Sequence, residues 1–197
     1  MISLFIILVL VTFVFWGIGS LSSKLLRLAV APDLAILLGF VIANIISTLA
    51  SLWIPITPSW GLLLFCFATF GWIKRYAHLP TNTFSKWPIG IKLVCVVSVL
   101  IILLLSVSIP QNFDTHLYHL QSIRWTAKYA AVPGLANLHS RLGFNAQLFS
   151  LYPAFSFQEM LGQEILWVNP FLSLVIFLTF FSEGYPLFNQ KVIFINQ

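Results

Sequence analysis

Ile91–Ile109 reads IKLVCVVSVLIILLLSVSI, and this stretch is the clearest indication of the fold class. It consists almost entirely of leucine and β-branched residues, and about 20 such residues cross a hydrocarbon core of about 30 Å as one α-helix. The whole 197-residue chain is similarly apolar, with 59% hydrophobic and only 8% charged residues. A soluble domain has about a quarter charged residues. The sequence therefore predicts an all-α, multi-span transmembrane helical bundle.

Further apolar runs lie on both sides of this stretch. Three precede it and one follows it: Met1–Leu21, Asp33 to the turn at Pro55, Trp60–Ile73 and Ile165–Phe181. No charge precedes the first run and no small-residue cleavage site follows it, so we interpret it as a retained span rather than a signal peptide. Asp33, directly after Pro32, is expected to cap the second helix. About five spans are predicted, although Trp60–Ile73 is short for a crossing.

Basic residues are divided unevenly between the two sides of the predicted bundle. The loops on one side contain Lys24, Arg27, Lys74, Arg75, Lys86, Lys92 and Lys191, and those on the other contain Arg124, Lys128 and Arg141. By the positive-inside rule the first side is cytoplasmic. We therefore predict a multi-pass protein of the inner (plasma) membrane, with the loop 110–164 periplasmic or extracellular. Because the basic residues are scattered rather than clustered, they favour orientation in the bilayer over nucleic-acid binding.

The outward loop opens with an amphipathic helix that begins at Asp114. With the 3.6-residue period, Leu120, Ile123 and Ala127 share one face, while Trp125 and other aromatic, polar and basic residues take the opposite face. This pattern is typical of a helix that lies at the membrane surface. Asp114 itself has two compatible interpretations: an N-cap that satisfies free backbone N–H groups, or a catalytic carboxylate at the bilayer boundary.

The histidines of this loop raise the question of a metal site. His116, His119 and His139 could surround a divalent ion together with Asp114. On a regular helix, however, Asp114 and His116 point about 160° apart. We therefore favour hydrogen-bonding histidines at the interface and predict no metal ion and no cofactor. The two cysteines, Cys66 and Cys95, lie within apolar runs as small hydrophobic residues, without zinc-site spacing.

The charged residues of the loop suggest an anionic partner near the headgroups. Arg124, Lys128 and Arg141 supply positive charge where a phosphate would be a natural ligand. Contact with anionic membrane lipid is the ordinary alternative and is favoured for Lys128. Glu159 and Glu164 stand before the last span, where solvation is the favoured interpretation over acid–base chemistry.

Taken together, these motifs resemble those of the GT-C superfamily of membrane glycosyltransferases. The matching pieces are Asp114, Tyr118-His119-Leu120, the helix through Arg124-Trp125, Val132-Pro133-Gly134, Tyr152-Pro153 and Glu159. When Arg141-Leu142-Gly143-Phe144-Asn145 is included, the stretch resembles a bacterial multi-pass membrane family of unassigned function more closely than it resembles GT-C proteins in general. The resemblance covers about Ile91 to Gly162.

The resemblance implies sugar transfer from a polyprenyl-phosphate-linked donor in envelope glycan assembly. It implies that Asp114 is the catalytic carboxylate and that Tyr118, His119, Arg124 and Arg141 bind substrate. GT-C proteins have more spans than this chain. We therefore expect the N-terminal part of a larger fold, inactive unless the missing spans complete it.

The expected division of the chain is three transmembrane helices with a cytoplasmic loop in 1–90, a GT-C-like unit in 91–182 and a truncated tail in 183–197. The alternative function is a non-catalytic multi-pass protein: a structural subunit, a lipid- or polysaccharide-handling subunit, or a transporter fragment. The spans contain almost no ionisable residues, which disfavours transport. The oligomeric state is left open.

Overall fold

The computed structural model describes residues 1–73, 88–107, 114–143, 147–157, 161–162 and 165–195. All regular structure in these residues is helical, so the all-α prediction is confirmed. The α-helices are α1 (Ile2–Leu25), α2 (Pro32–Ser51), α3 (Pro58–Ile73), α4 (Ile89–Val107), α5 (Leu120–Lys128) and α6 (Val168–Ile195). A π-helical turn, Thr115–His119, precedes α5, and 3₁₀ turns at Leu135–Asn137, Ser140–Gly143, Gln147–Ser150 and Tyr152–Phe155 follow it.

Three of the described helices are long and apolar enough to cross a membrane: Ile2–Leu25, Pro32–Ser51 and Ile89–Ser106. Helix α3 has 16 residues and is therefore only about 24 Å long, less than the hydrocarbon core. In α6, the apolar stretch within the residues whose side chains are described is Val168–Phe181. The described part of the chain thus has three helices that could cross a membrane, while the count of five spans stays a prediction.

The beginning of α2 differs from the sequence-based prediction. The helix starts at Pro32 with Ala31 at its N-cap, so the prediction that Asp33 is the cap was wrong. Proline suits the first helical position because the N–H that it lacks would have no partner there. Asp33 lies in the first turn instead, where its negative charge complements the helix dipole.

Helices α1, α2 and α3 form a bundle in which small residues permit close backbone contact. A Cβ atom added at Gly39 would collide with the main-chain carbonyl of Phe15, and one added at Gly19 would collide with that of Ala35. Small residues at helix interfaces are the usual solution in membranes, where close van der Waals packing replaces the hydrophobic effect. The glycines therefore let the backbones of the three helices approach closely, and the resulting van der Waals contacts stabilise the bundle.

The segment after α5 folds back onto one end of this bundle. The backbone N–H of Ile56 donates to the carbonyl of Thr126 at 2.9 Å, and the N–H of Ala131 donates to the carbonyl of Ser51 at 2.8 Å. These bonds join the turn between α2 and α3 to the region around α5. Both therefore lie at the same end of the bundle, opposite the turn that contains Arg27.

A cluster of aromatic rings around Trp167, which we call the aromatic seat, lies where the loop and the last helix meet the bundle. Trp167 is fully buried between Phe15 of α1, Phe155 of the last 3₁₀ turn and Phe171 of α6, with ring centroids 5.6–6.2 Å apart. Its indole N–H donates to the carbonyl of Tyr152 at 3.3 Å. Trp167 thus connects the bundle, the loop and the last helix.

Candidate functional site

Asp114 is in helical conformation at the start of the π turn, with φ −63° and ψ −29°, and its side chain makes no capping hydrogen bond. Instead, its Oδ1 atom accepts a hydrogen bond from Nη1 of Arg141, 27 residues further along the chain. The two side chains are 45% and 42% exposed. Asp114 therefore stands at the N-cap position of the π turn, as predicted, but its carboxylate forms an accessible ion pair and not a capping hydrogen bond.

Two further residues that the sequence singled out lie beside this pair. The guanidinium carbon of Arg141 is 5.1 Å from the centroid of the Tyr118 ring, within the range of a cation–π contact. Tyr118 meets His119 edge to face at 4.4 Å, and His119 packs against Phe149 at 5.0 Å. The structure thus brings Asp114, Tyr118, His119 and Arg141 together, and we call these four residues the ion-pair site.

The π turn contributes to this arrangement. The N–H of Leu120 donates to the carbonyl of Thr115, five residues earlier, which widens the turn relative to an α-helix. Residues five apart, such as Asp114 and His119, therefore come closer to one face than on the regular helix that the sequence predicted. The prediction of a regular helical period from Asp114 was wrong in this first turn. Such π turns are frequently found at functional sites.

The chain returns to Asp114 through a tight reversal. Gly134 adopts a left-handed conformation, with φ 80°, at the start of a 3₁₀ turn, a conformation that glycine adopts at little cost. Further on, the backbone N–H of Arg141 donates to Nδ1 of His139 at 3.3 Å. His139 therefore supports the backbone of Arg141 through an acceptor nitrogen.

A groove runs from the ion-pair site down between α4 and α6. Its upper cavity, of about 500 Å³, has Thr115 and His119 at one end. The helices contribute apolar and polar residues to its walls, and the loop region adds further apolar ones: Ile102, Leu105, Ser106, Asn169, Pro170 and Ser173 from the helices, and Ile123, Leu148, Phe149 and Leu166 from the loop region. A second cavity, of about 580 Å³, continues along α6 and shares Asn169 and Ser173 with the first. The second cavity is lined by α6 residues alone, so we call the first cavity the α4–α6 groove. Its shape and largely apolar walls suit a lipid chain.

Arg124 is not brought to the ion-pair site. It is exposed and lines a separate cavity of about 280 Å³ with Lys128, Pro58 and Ser156. Ile123 lines both this cavity and the α4–α6 groove, because it lies between them on α5. Two cations on one rim make this cavity suited to an anion. Glu159 and Glu164 lie outside the described residues.

The structure tests the metal hypothesis only in part. Within the described residues, no three His, Cys, Asp or Glu side chains are grouped so that they could hold a metal ion. The side chain of His116 lies outside the part of the chain that the structure describes. Of the other candidates, Asp114 uses its Oδ1 atom to accept from Arg141, and His139 uses its Nδ1 atom to accept from a backbone N–H.

Sequence reasoning missed the role of Tyr152. Burial raises the pKa of its hydroxyl, which the backbone N–H groups of Asn169 and Val168 contact at the start of α6. The hydroxyl therefore satisfies free N–H groups of that helix. The sequence did contain a signal for this role: Tyr152-Pro153 is followed by Trp167, which stands directly before the last apolar run.

A second missed feature is a polar stripe on α2. Asn44, Ser47, Thr48 and Ser51 recur at the helical period on one face of an otherwise apolar helix. Thr48 and Ser150 join their hydroxyl groups at 2.8 Å, and the Trp60 indole N–H donates to Ser47 at 2.8 Å. The stripe thus supplies polar partners to the loop, and its spacing alone could have revealed it.

Residues 1–196 match the model of a family described as a domain of unknown function (DUF8201). The chain belongs to the DUF8201 family. Its match spans the α1–α3 bundle and the ion-pair site alike, so DUF8201 includes both. No curated protein and no solved structure matches the chain. The chemistry of the site must therefore support any functional assignment within DUF8201.

Proposed function

We propose that the chain is the N-terminal part of a GT-C-like membrane glycosyltransferase that transfers a sugar from a polyprenyl phosphate during envelope glycan assembly. The observation that carries the proposal is the ion pair of Asp114 and Arg141, which lies beside His119, a residue that also lines the α4–α6 groove. It combines a carboxylate, a phosphate-binding group and an apolar channel at one point. These are the three chemical requirements of such a transfer.

Arg141 is suited to hold the phosphate of the donor. A guanidinium has five N–H donors, and the bond to Asp114 through Nη1 leaves others for phosphate oxygens. The guanidinium lies over the ring of Tyr118, so a cation–π contact holds it in place. Charge-assisted bonds from arginine to phosphate are among the stronger hydrogen bonds. In this role Arg141 neutralises the polyprenyl phosphate that leaves.

Asp114 is suited to activate the acceptor. In the proposed step, an acceptor hydroxyl oxygen forms a bond to the anomeric carbon while the bond from that carbon to the phosphate oxygen breaks. The hydroxyl proton passes to the Asp114 carboxylate, and the phosphate leaves as an anion beside Arg141. A base must be within hydrogen-bond reach of its proton, and the 45% exposure of Asp114 permits that approach. His119 lies on the groove side, where it can bind sugar or phosphate oxygens.

The same proposal includes five spans and an outward-facing ion-pair site in the inner (plasma) membrane. Its support is that the α2–α3 turn and the α5 region share one end of the bundle, while Lys24 and Arg27 lie at the other end. The positive-inside rule then makes the latter cytoplasmic. A single cysteine at position 114, in a chain lacking Cys66 and Cys95, should react with a membrane-impermeant maleimide in intact cells. Labelling only after lysis would contradict both the orientation and the enzyme proposal.

The central experiment compares Asp114→Asn with wild type in sugar transfer from a polyprenyl-phosphate donor, using the protein at its natural length. General-base removal should lower the rate by about 10²–10⁴-fold. Asp33→Asn, in the first turn of α2, is the matched control and should keep full activity. Undiminished transfer by Asp114→Asn would remove Asp114 from the mechanism.

A non-catalytic role is the second candidate, because the ion pair also fastens the start of the π turn to a loop 27 residues away. An exchange of the two charges, Asp114→Arg with Arg141→Asp, separates the two roles. A purely structural pair should recover its function in the double variant. The proposed enzyme should not, since the carboxylate and the guanidinium would each stand on the wrong side of the substrate.

A further inference from the structure

A cleft next to the ion-pair site has a different chemistry from the α4–α6 groove. It has a volume of about 410 Å³, within the range of about 300–1,000 Å³ that ligand pockets have. Its walls come from the end of α2, one face of α5 and the 3₁₀ turns. We call it the hydroxyl cleft, after the residues that line it: Thr48, Ser51, Ser122, Thr126 and Ser150, with Trp125, Tyr129 and Gln147.

The hydroxyl groups of this cleft are directed to act as hydrogen-bond acceptors. Ser51 donates to the carbonyl of Thr48 at 2.7 Å, Thr126 to that of Ser122 at 3.0 Å, and Ser150 to that of Gln147 at 2.7 Å. Since each hydroxyl has one proton and two lone pairs, these groups keep acceptor capacity for a ligand. They favour a ligand rich in O–H donors.

Electrostatics and aromatic rings narrow the ligand class further. The residues that line the hydroxyl cleft include no charged side chain, so an anionic headgroup or phosphate would find no counter-ion there. Trp125 and Tyr129 lie together with ring centroids 5.1 Å apart. Aromatic rings offer a flat apolar face beside a polar tip, which matches the apolar faces and hydroxyl edges of a sugar ring.

We propose that the hydroxyl cleft binds a neutral saccharide. Phe149 lines both this cleft and the α4–α6 groove, and Leu142 and Gly143 of its wall directly follow Arg141. A saccharide in the cleft therefore lies next to the ion-pair site. Binding of the saccharide is proposed independently of any catalysis. The further statement that this saccharide is the acceptor of the transferred sugar rests on the proposed function.

Binding can be measured without any donor lipid. The probes are neutral trisaccharides of glucose, galactose, mannose and rhamnose, with glucuronic acid and inorganic phosphate as anionic comparators. The protein is held in phosphatidylcholine nanodiscs and observed by saturation-transfer NMR and calorimetry. We expect at least one neutral trisaccharide to bind and neither anion to bind at the same site. Absence of binding by all four neutral probes, or displacement of a bound one by phosphate, would overturn the proposal.

Variants of the cleft locate the binding. Trp125→Ala should weaken the affinity at least about tenfold, while Trp125→Phe, which keeps a flat ring, should retain most of it. Thr126→Val keeps the side-chain shape and should weaken binding about threefold or more. Its matched control is Thr69→Val, since Thr69 makes a similar bond to the backbone within α3. Equal affinity of all these variants and wild type would place the saccharide elsewhere.

The two proposals fail separately. Asp114→Asn should lose sugar transfer and still bind the trisaccharide, because Asp114 does not line the hydroxyl cleft. If transfer depends on Asp114 but affinity is indifferent to Trp125 and Thr126, only the saccharide site is wrong. If affinity depends on the cleft but transfer is indifferent to Asp114, only the proposed function is wrong.

Discussion

The α1–α3 bundle and the helix α4 are both apolar, but they are packed very differently. Half of the most apolar window of α1 is buried within the chain, compared with 6% of that of α4. The mean hydropathy of α4 is nevertheless slightly higher, at 2.8 against 2.6. Apolar character therefore predicts that a helix enters the membrane, but does not predict what the helix packs against.

The packing difference follows from residue size. Helix α1 meets α2 and α3 through Gly17, Gly19, Gly39 and Gly71, at which an added Cβ would strike backbone atoms. Helix α4 carries large aliphatic side chains, and a Cβ at its Gly90 would meet nothing within 4 Å. On the side of α4, the groove that the proposed lipid donor needs is lined by Ile102, Leu105 and Ser106. Close packing and an open groove are thus produced by different residues.

The largest expected effect is at Trp167, which connects the α1–α3 bundle to the loop and to α6. Trp167→Ala should lower the free energy of unfolding by about 3–5 kcal/mol, because it removes a fully buried indole and leaves a cavity. The measurement is SDS titration of the protein in mixed micelles, followed by circular dichroism. Trp53→Ala, at a side chain that is 73% exposed, should change stability by less than about 0.5 kcal/mol. Similar losses for both variants would show that the aromatic seat does not hold the fold.

A pair of glycine variants tests the packing contrast directly. Gly39→Ala should cost about 1–3 kcal/mol, since the new methyl group meets the Phe15 carbonyl and forces α1 and α2 apart. Gly90→Ala meets open space and should be neutral or slightly stabilising, because alanine is the better helix former. The same SDS titration measures both. A greater loss at Gly90 than at Gly39 would reverse the comparison.

The sequence predicted the helices well because hydropathy is a local property. The run Ile91–Ile109 became α4, Ile89–Val107, and the other apolar runs also became helices. The last helix was predicted to end at Phe181, but α6 continues to Ile195, through the stretch that was predicted to be a tail. The Asp33 cap failed because Pro32 can occupy the first helical position itself. Whether α3 crosses the membrane was already uncertain from its length, and its 16 residues leave the five-span count a prediction.

The site was predicted in its members but not in its contacts. Asp114 and Arg141 were selected separately, by position and by charge, and their ion pair depends on the reversal at Gly134 and on the π turn. Arg124 and Arg141 appeared equivalent in sequence, but Arg141 pairs with Asp114, while Arg124 lines a cavity with Lys128. Tertiary contacts over 27 residues cannot be obtained from a local pattern.

Tyr152 gives a smaller effect with a pH signature. Tyr152→Phe should lower the free energy of unfolding by about 1 kcal/mol at neutral pH, because backbone N–H groups at the start of α6 lose their partner. Burial raises the pKa of this hydroxyl in the folded state, while an unfolded tyrosine ionises near about pH 10. The advantage of wild type over Tyr152→Phe should therefore shrink as the pH rises above about 10. An advantage that grows with pH would contradict this assignment.

The smallest stability effect is expected at the ion-pair site itself. Asp114→Asn should cost less than about 1 kcal/mol, because both partners are more than 40% exposed and exposed ion pairs contribute little. The same SDS titration, repeated at low and high salt, measures this effect and its screening. A residue that costs little stability but about 10²–10⁴-fold in transfer is positioned for chemistry rather than for support. A stability loss above about 2 kcal/mol would instead place Asp114 with Gly39 and Trp167 among the residues that hold the fold, and would favour the non-catalytic role.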